Sequence, residues 1–130
     1  MSNSMSLHEN PDALAPETID QHRAIASIME ELEAVDWYAQ RADATADASL
    51  REILIHNRNE EMEHAAMAIE WLRRANPTFD AHLRTYLFTN GSLLAIEEED
   101  TGGEPSETVG GSADSSGSLG IADLREGAGR

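Results

Sequence analysis

The amino-acid sequence predicts an all-α protein, an antiparallel two-helix hairpin followed by a short third helix. Three observations carry that prediction. Apolar residues recur at steps of three and four along two long segments, the period of one helix face. A run of small capping residues, "DATADAS", separates the two segments. Proline marks the boundaries, at Pro16 before the first segment and at Asn76-Pro77 after the second.

The elements follow in order. Residues 1–15 carry no period and read as a flexible N-terminal arm. Pro16 suits a first helical turn, with Glu17 and Asp20 near the positive end of the dipole. Ile25, Ile28, Met29, Leu32 and Val35 mark the apolar side of a helix reaching about Ala44. Leu50, Ile53, Leu54, Ala65, Ala68, Trp71 and Leu72 mark the inner side of a second helix, from about Ser49 to Arg74. "TFDAHLRTYLF" reads as the short third helix, stopped at Asn90-Gly91. "SLLAIEEED" adds a turn or two, so the helical domain spans 16–100. Residues 101–117 are Gly, Ser, Thr and acids with a single Pro, Val and Ala, a composition that predicts a disordered linker. Apolar residues return within 118–130 as Leu119, Ile121 and Leu124, the pattern of a docking peptide on a tether.

The formal charge is −16, from 25 acidic and 9 basic residues, and the basic residues are all arginine. Such a surface repels nucleic acid and anionic membranes and suits cations. The absence of cysteine excludes disulfides, thiolate metal sites and cysteine nucleophiles. No apolar run is long enough to span a membrane. "MSNSMSLHENPD" lacks the basic flank and apolar core of a secretory leader, which points to the cytoplasm.

One stretch stands out, "NEEMEHAAM" at 59–67. With Ile53 at zero and about 100° per residue, His64 falls near 20° and Glu61 near 80°. Both lie inside the apolar stripe, one turn apart. Glu63 falls outside it, and Glu60 sits on its edge. On the first helix, "MEELEAVDWY" sets Glu31 beside Val35 and one heptad from Tyr38, while Glu30 and Glu33 point away. Burying a carboxylate without a counter-charge costs several kcal/mol, roughly 3–5. A cation between Glu31, Glu61 and His64 removes that cost. Glu-x-x-His at i, i+3 aims an oxygen and an imidazole nitrogen at one point. Mixed oxygen and nitrogen ligands suit iron, manganese or zinc. Each feature has a plainer reading: Arg58 lies one turn from Glu61, and a histidine on an apolar face is often a core residue. Together they favour metal.

A paired-metal site in a four-helix bundle takes a Glu from each of two helices and a Glu-x-x-His from each of two others. This chain has one of each, half a site. The other half must come from a second copy across a two-fold axis. A lone hairpin also has too thin a core to cover its apolar faces.

"HRAIASIMEELEAVDWYAQRADA", "HNRNEEMEHAAMAIEWLRR" and "AHLRTYLFT" resemble the encapsulated ferritins, cargo proteins of encapsulin nanocompartments. The likeness spans roughly 17–90 and resumes at "GSLGIADLR". It implies a ferritin-like four-helix arrangement formed on dimerisation, members of the family being ring-shaped decamers. It implies a ferroxidase that oxidises Fe²⁺ to Fe³⁺ with dioxygen, at a centre holding two irons per dimer interface. Glu31, Glu61 and His64 would be the iron ligands, Glu31 bridging. Tyr38 would stand near the centre and Trp37 would flank it. Glu30 and Glu33 resemble the outer carboxylates where metal enters. The terminal peptide would dock to the encapsulin shell, inside which iron is mineralised and stored. The alternative is a non-catalytic, metal-binding helical cargo or adaptor whose acids serve solubility. A di-iron peroxidase is a third possibility, without the cysteines of a rubredoxin-type centre.

Overall fold

The structure, a computed structural model, describes residues 6–102. Within them lie four α-helices and no strand. They belong to two compact units, one ending at Ala75 and the other starting at Asn76. Leu119, Ile121 and Leu124, with most of the linker and the rest of the terminal peptide, lie outside the described residues.

The first unit opens on a 3₁₀ turn, Pro11–Ala13, where the sequence carried no period. Asn10 caps it, its Oδ1 accepting from the Asp12 N–H at 2.9 Å. Helix α1 runs Pro16–Ala44 and α2 runs Ala48–Ala75, within a residue of the expected bounds. Asp47 nucleates α2: its carboxylate accepts from the Leu50 N–H at 2.9 Å and the Ser49 hydroxyl at 2.7 Å. Those bonds, the Leu50 one foremost, hold its pKa below the usual carboxylate range.

The two helices pack antiparallel. At the loop end, Arg51 of α2 donates to the Ala42 carbonyl at 3.0 Å and to the Thr45 carbonyl, satisfying acceptors at the end of α1. At the other end, Gln21 Nε2 reaches the Ala75 carbonyl at 3.5 Å.

The core is thin, as the length predicts. Among the described residues, only Ala42, Leu54, Ala65 and Leu72 are buried. The apolar stripe of α2 divides along its length. Leu54, Ala65 and Leu72 turn onto α1, whereas Leu50, Ile53 and Trp71 remain exposed, Ile53 by 56%. The expectation that all of them face one interior is corrected: the stripe is wider than a single partner helix covers. Ile25 and Leu32 of α1 are uncovered in the same way.

In the second unit, α3 spans Pro77–Tyr86 and α4 spans Leu93–Gly102. Asn76 caps α3 by accepting from the Phe79 N–H at 2.9 Å. Ser92 Oγ accepts from the Ala95 N–H at 3.2 Å at the start of α4. The ten residues of α4 exceed the turn or two expected there. Between them, Phe88 takes a left-handed φ of 62° and Gly91 a φ of 96°, the latter a conformation suited to glycine. Burial, then the charges of Glu97 and Asp100, raise the Tyr86 phenol above its ordinary pKa. No described helix is long and apolar enough to cross a membrane.

Candidate metal centre

Glu31 sits near the middle of α1, between the half-buried Ile28 and Val35. Glu61 and His64 sit on α2, one turn apart. Ala65, 3% exposed, is the residue after His64. A small side chain there lets the helices approach closely, because interaxial distance follows the size of the contacting residues. The carboxylates of the two helices meet at that level.

One ligand atom from each of Glu31, Glu61 and His64 lies within 4.8 Å of the others. Among the described residues it is the one group of three potential ligands that converges. His64 Nδ1 is 3.3 Å from Glu61 Oε1 and 3.6 Å from Glu31 Oε1. The Glu-x-x-His pair thus presents both side chains to one point, and α1 supplies the third.

No described arginine neutralises these acids. Arg58 turns its guanidinium to Asn59 Oδ1, at 3.0 and 3.2 Å, rather than to Glu61. The remaining described arginines are engaged elsewhere: Arg23 with Asp20, Arg41 over Trp37 and Tyr38, Arg51 at the α1 terminus, Arg73 and Arg74 with Glu70, and Arg84 with Asp80.

Two carboxylates this close resist ionising together. The hydrogen bond with Glu61, followed by desolvation and the Glu61 charge, raises the Glu31 pKa. The same hydrogen bond lowers that of Glu61, assisted by His64. Desolvation pulls the His64 imidazole down, but the hydrogen bond to Glu61 and the charges of Glu31, Glu61 and Glu60 together raise it.

The side chains of Glu31 and Glu61 are 28% and 24% exposed, and that of His64 is 44% exposed. In the single chain they are therefore half-open rather than buried. The desolvation cost inferred from the stripe is only partly incurred, because this edge of the hairpin faces water.

The other predicted site residues lie on α1 as well. Glu30, Glu33 and Trp37 are exposed on α1. Tyr38 is half-buried, and the Arg41 guanidinium lies 5.7 Å from its ring centroid and 5.8 Å from that of Trp37. Glu60, ambiguous on the helical wheel, proves to be a neighbour of the centre: its Oε1 lies 4.0 Å from His64 Nε2. Its i, i+4 spacing to His64 was the available signal.

The profile of the EncFtn-like family matches residues 6–90. The chain is 56% identical over 125 residues to the encapsulated ferritin-like protein of Rhodospirillum rubrum, covering 94% of this chain and 89% of that one. It is 54% identical over 104 residues to the ferritin-like protein of Thermotoga maritima, covering 80% and 90%. A shorter match joins it to the encapsulin nanocompartment cargo protein EncC of Myxococcus xanthus, 40% identical over 58 residues and 45% of each chain. The crystal structure of a Nitrosomonas europaea protein is similar with a TM-score of 0.66 and 55% identity, over 68% of this chain and 97% of that one.

Proposed function

We propose, from the premise that the chain belongs to the EncFtn-like family, that it is a ferroxidase acting within an encapsulin nanocompartment. It oxidises Fe²⁺ to Fe³⁺ with dioxygen at a site shared by two subunits. The observation that carries this is the convergence of Glu31, Glu61 and His64 without an arginine to neutralise them.

Three ligands serve one metal poorly and two metals not at all. A second copy related by a two-fold axis supplies the same three again, so two irons sit between four carboxylates and two imidazoles. Glu31 and Glu61 give up any proton they hold when Fe²⁺ binds, because ligating carboxylates must be ionised. Hard carboxylate oxygens favour the ferric ion, which lowers the energy of the oxidised pair. Each Fe²⁺ gives up one electron, so a pair supplies two electrons at once to dioxygen, which takes up protons as it is reduced. His64 contributes one nitrogen and leaves the rest of the coordination sphere open. The outward Glu30 and Glu33 gather Fe²⁺ for the centre, Trp37 flanks it, and Tyr38 stands beside it. The negative surface raises the local Fe²⁺ concentration.

The second copy also covers Leu32, Ile53 and Trp71, which the lone chain leaves in water. Family resemblance supports a ring-shaped decamer as the full assembly. Residues 118–130, through Leu119, Ile121 and Leu124, dock the ring to the encapsulin shell, in whose interior iron is mineralised. The family's link to encapsulin cargo supports this partner.

Native mass spectrometry with Fe²⁺ tests the shared site directly: two irons per pair of subunits are expected. One iron per isolated chain, or none, refutes it. Ferric absorbance after mixing with Fe²⁺ in air separates the ferroxidase from a non-catalytic metal-binding cargo or adaptor, which would bind metal without speeding oxidation.

A further inference from the structure

We propose that Arg41 guards Trp37 and Tyr38 against one-electron oxidation, its guanidinium lying over both rings. The need for a guard during iron turnover rests on the ferroxidase reading; the effect of the cation on the rings does not.

Helical spacing puts one cation over two rings. Trp37 and Tyr38 are consecutive on α1, and Arg41 follows them at i+4 and i+3, the separations at which side chains meet. The guanidinium carbon stands 5.8 Å from the Trp37 ring centroid and 5.7 Å from that of Tyr38. The other described arginines face oxygens: carboxylates of Asp20, Glu70 and Asp80, the Asn59 amide, or the carbonyls that end α1. The acid on the preceding turn does not draw Arg41 away, because Asp36 accepts from Gln40 Nε2 at 3.0 Å. In a chain with 25 acidic residues, this charge rests on aromatic faces.

A neutral ring face is electron-rich and attracts a cation. Loss of an electron makes the ring positive, and the same contact becomes a repulsion between like charges. Arg41 therefore makes each ring harder to oxidise. A guanidinium keeps its charge throughout the physiological pH range, so the guard does not lapse. Both rings are placed to meet oxidant. Trp37 is 48% exposed, and Tyr38 follows Glu31 by two turns on the same side of α1, about 10 Å along the axis. Dioxygen that takes two electrons and two protons becomes hydrogen peroxide. Further Fe²⁺ breaks the peroxide O–O bond, giving Fe³⁺, hydroxide and a hydroxyl radical. That radical takes one electron from an indole or phenol ring and becomes hydroxide, while the oxidised ring releases its N–H or O–H proton to water.

The test compares the full-length parent with Arg41→Gln, which keeps a planar group without charge, and Arg41→Lys, which keeps the charge. Each turns over Fe²⁺ in air, and peptide mass spectrometry counts oxidised Trp37 per iron oxidised. Arg41→Gln should raise that yield about two- to fivefold, the factor to which an exposed cation–π contact corresponds, and Arg41→Lys should reverse most of the rise. Trp71, 47% exposed, lines a groove with Ala24 and Ser27 at the opposite end of the hairpin, so its yield should not change. A parallel rise at Trp71 means that more oxidant escapes, and it overturns the proposal. So does a Trp37 yield in Arg41→Gln equal to the parent's, zero included. Voltammetry of the metal-free protein in a Trp71→Phe background gives a readout that needs no iron chemistry. The Trp37 peak should move to lower potential in Arg41→Gln and return in Arg41→Lys; an unmoved peak refutes the effect of the cation. If the peak moves but the parent oxidises Fe²⁺ no faster than buffer does, the ferroxidase reading has failed, and with it the need for a guard in turnover.

Discussion

Helix α2 carries two acidic clusters that meet opposite fates. Near its C-terminal end, Glu70 is clamped by Arg73 at 2.8 Å and Arg74 at 2.6 Å, which hold its carboxyl at about 2. Three turns earlier, Glu61 meets Glu31 and His64, and no described arginine reaches the pair. Glu70 is satisfied by its own helix, with cations also placed favourably at the negative end of the dipole. The Glu61 carboxylate instead pushes the Glu31 pKa up, through the hydrogen bond between them. A carboxylate that only balances charge finds its arginine locally. A pair that must accept an external cation has to be kept free of one. The difference separates surface acidity from chemistry more sharply than acid content does.

The largest effects should fall on the open cluster. Glu31→Ala or Glu61→Ala should slow the appearance of ferric absorbance in air by more than about 100-fold, exceeding the cost of an outer partner. Glu70→Ala should leave that rate unchanged. Equal losses at both places would erase the contrast.

A second experiment gives Glu61 what Glu70 already has. Asn57→Arg places a guanidinium one turn before Glu61, within reach of its carboxylate. We expect Co²⁺ affinity to fall by about tenfold, since the cation now competes with an internal one. An unchanged affinity in calorimetric titration would mean that neutrality of the cluster is irrelevant to binding.

Acidity provides a third, smaller contrast. The imidazole of His64 titrates above its ordinary value near 6.5, and its proton competes with metal. Metal affinity should therefore increase as pH rises through and somewhat beyond that value, by at most about tenfold per unit from this group, and then level off. Equilibrium dialysis against Zn²⁺ between pH 6 and 8 measures it; a flat profile would remove His64 from the ligand set.

The smallest effect concerns the closed cluster. The folded pKa of Glu70 lies below its ordinary 4.5, so its ion pairs contribute stability above that value and lose it as pH falls toward about 2. Because the pair is exposed, Glu70→Ala should lower Tm by only about 2 °C at pH 6. Thermal melts should show the gap between variant and parent closing in acid.

Much of the hairpin was legible in the sequence. Pro16 and Asn76-Pro77 fixed boundaries because proline constrains backbone angles locally. The convergence of Glu31, Glu61 and His64 was legible because side chains three and four apart on a helix share a face. The length of α4 was not, since Glu97–Asp100 carries no apolar period and places acids toward the wrong end of the dipole. Nor was the bond from Arg51 to the end of α1, which depends on the turn between the helices. The helical wheel showed that α2 has a wide apolar stripe. It gave no indication that Leu54 would meet α1 while Ile53, its neighbour, stayed in water. That division depends on the angle at which the helices pack, a property of two elements rather than one.

The uncovered Leu32, Ile53 and Trp71 have a consequence for handling the molecule. In the proposed dimer, removing them from solvent is a bimolecular event, so its contribution to stability follows mass action. Dilution then acts as a mild denaturant, and melting curves recorded at nanomolar and at millimolar chain should not superimpose. A closed container that concentrates such a chain also helps to keep it folded.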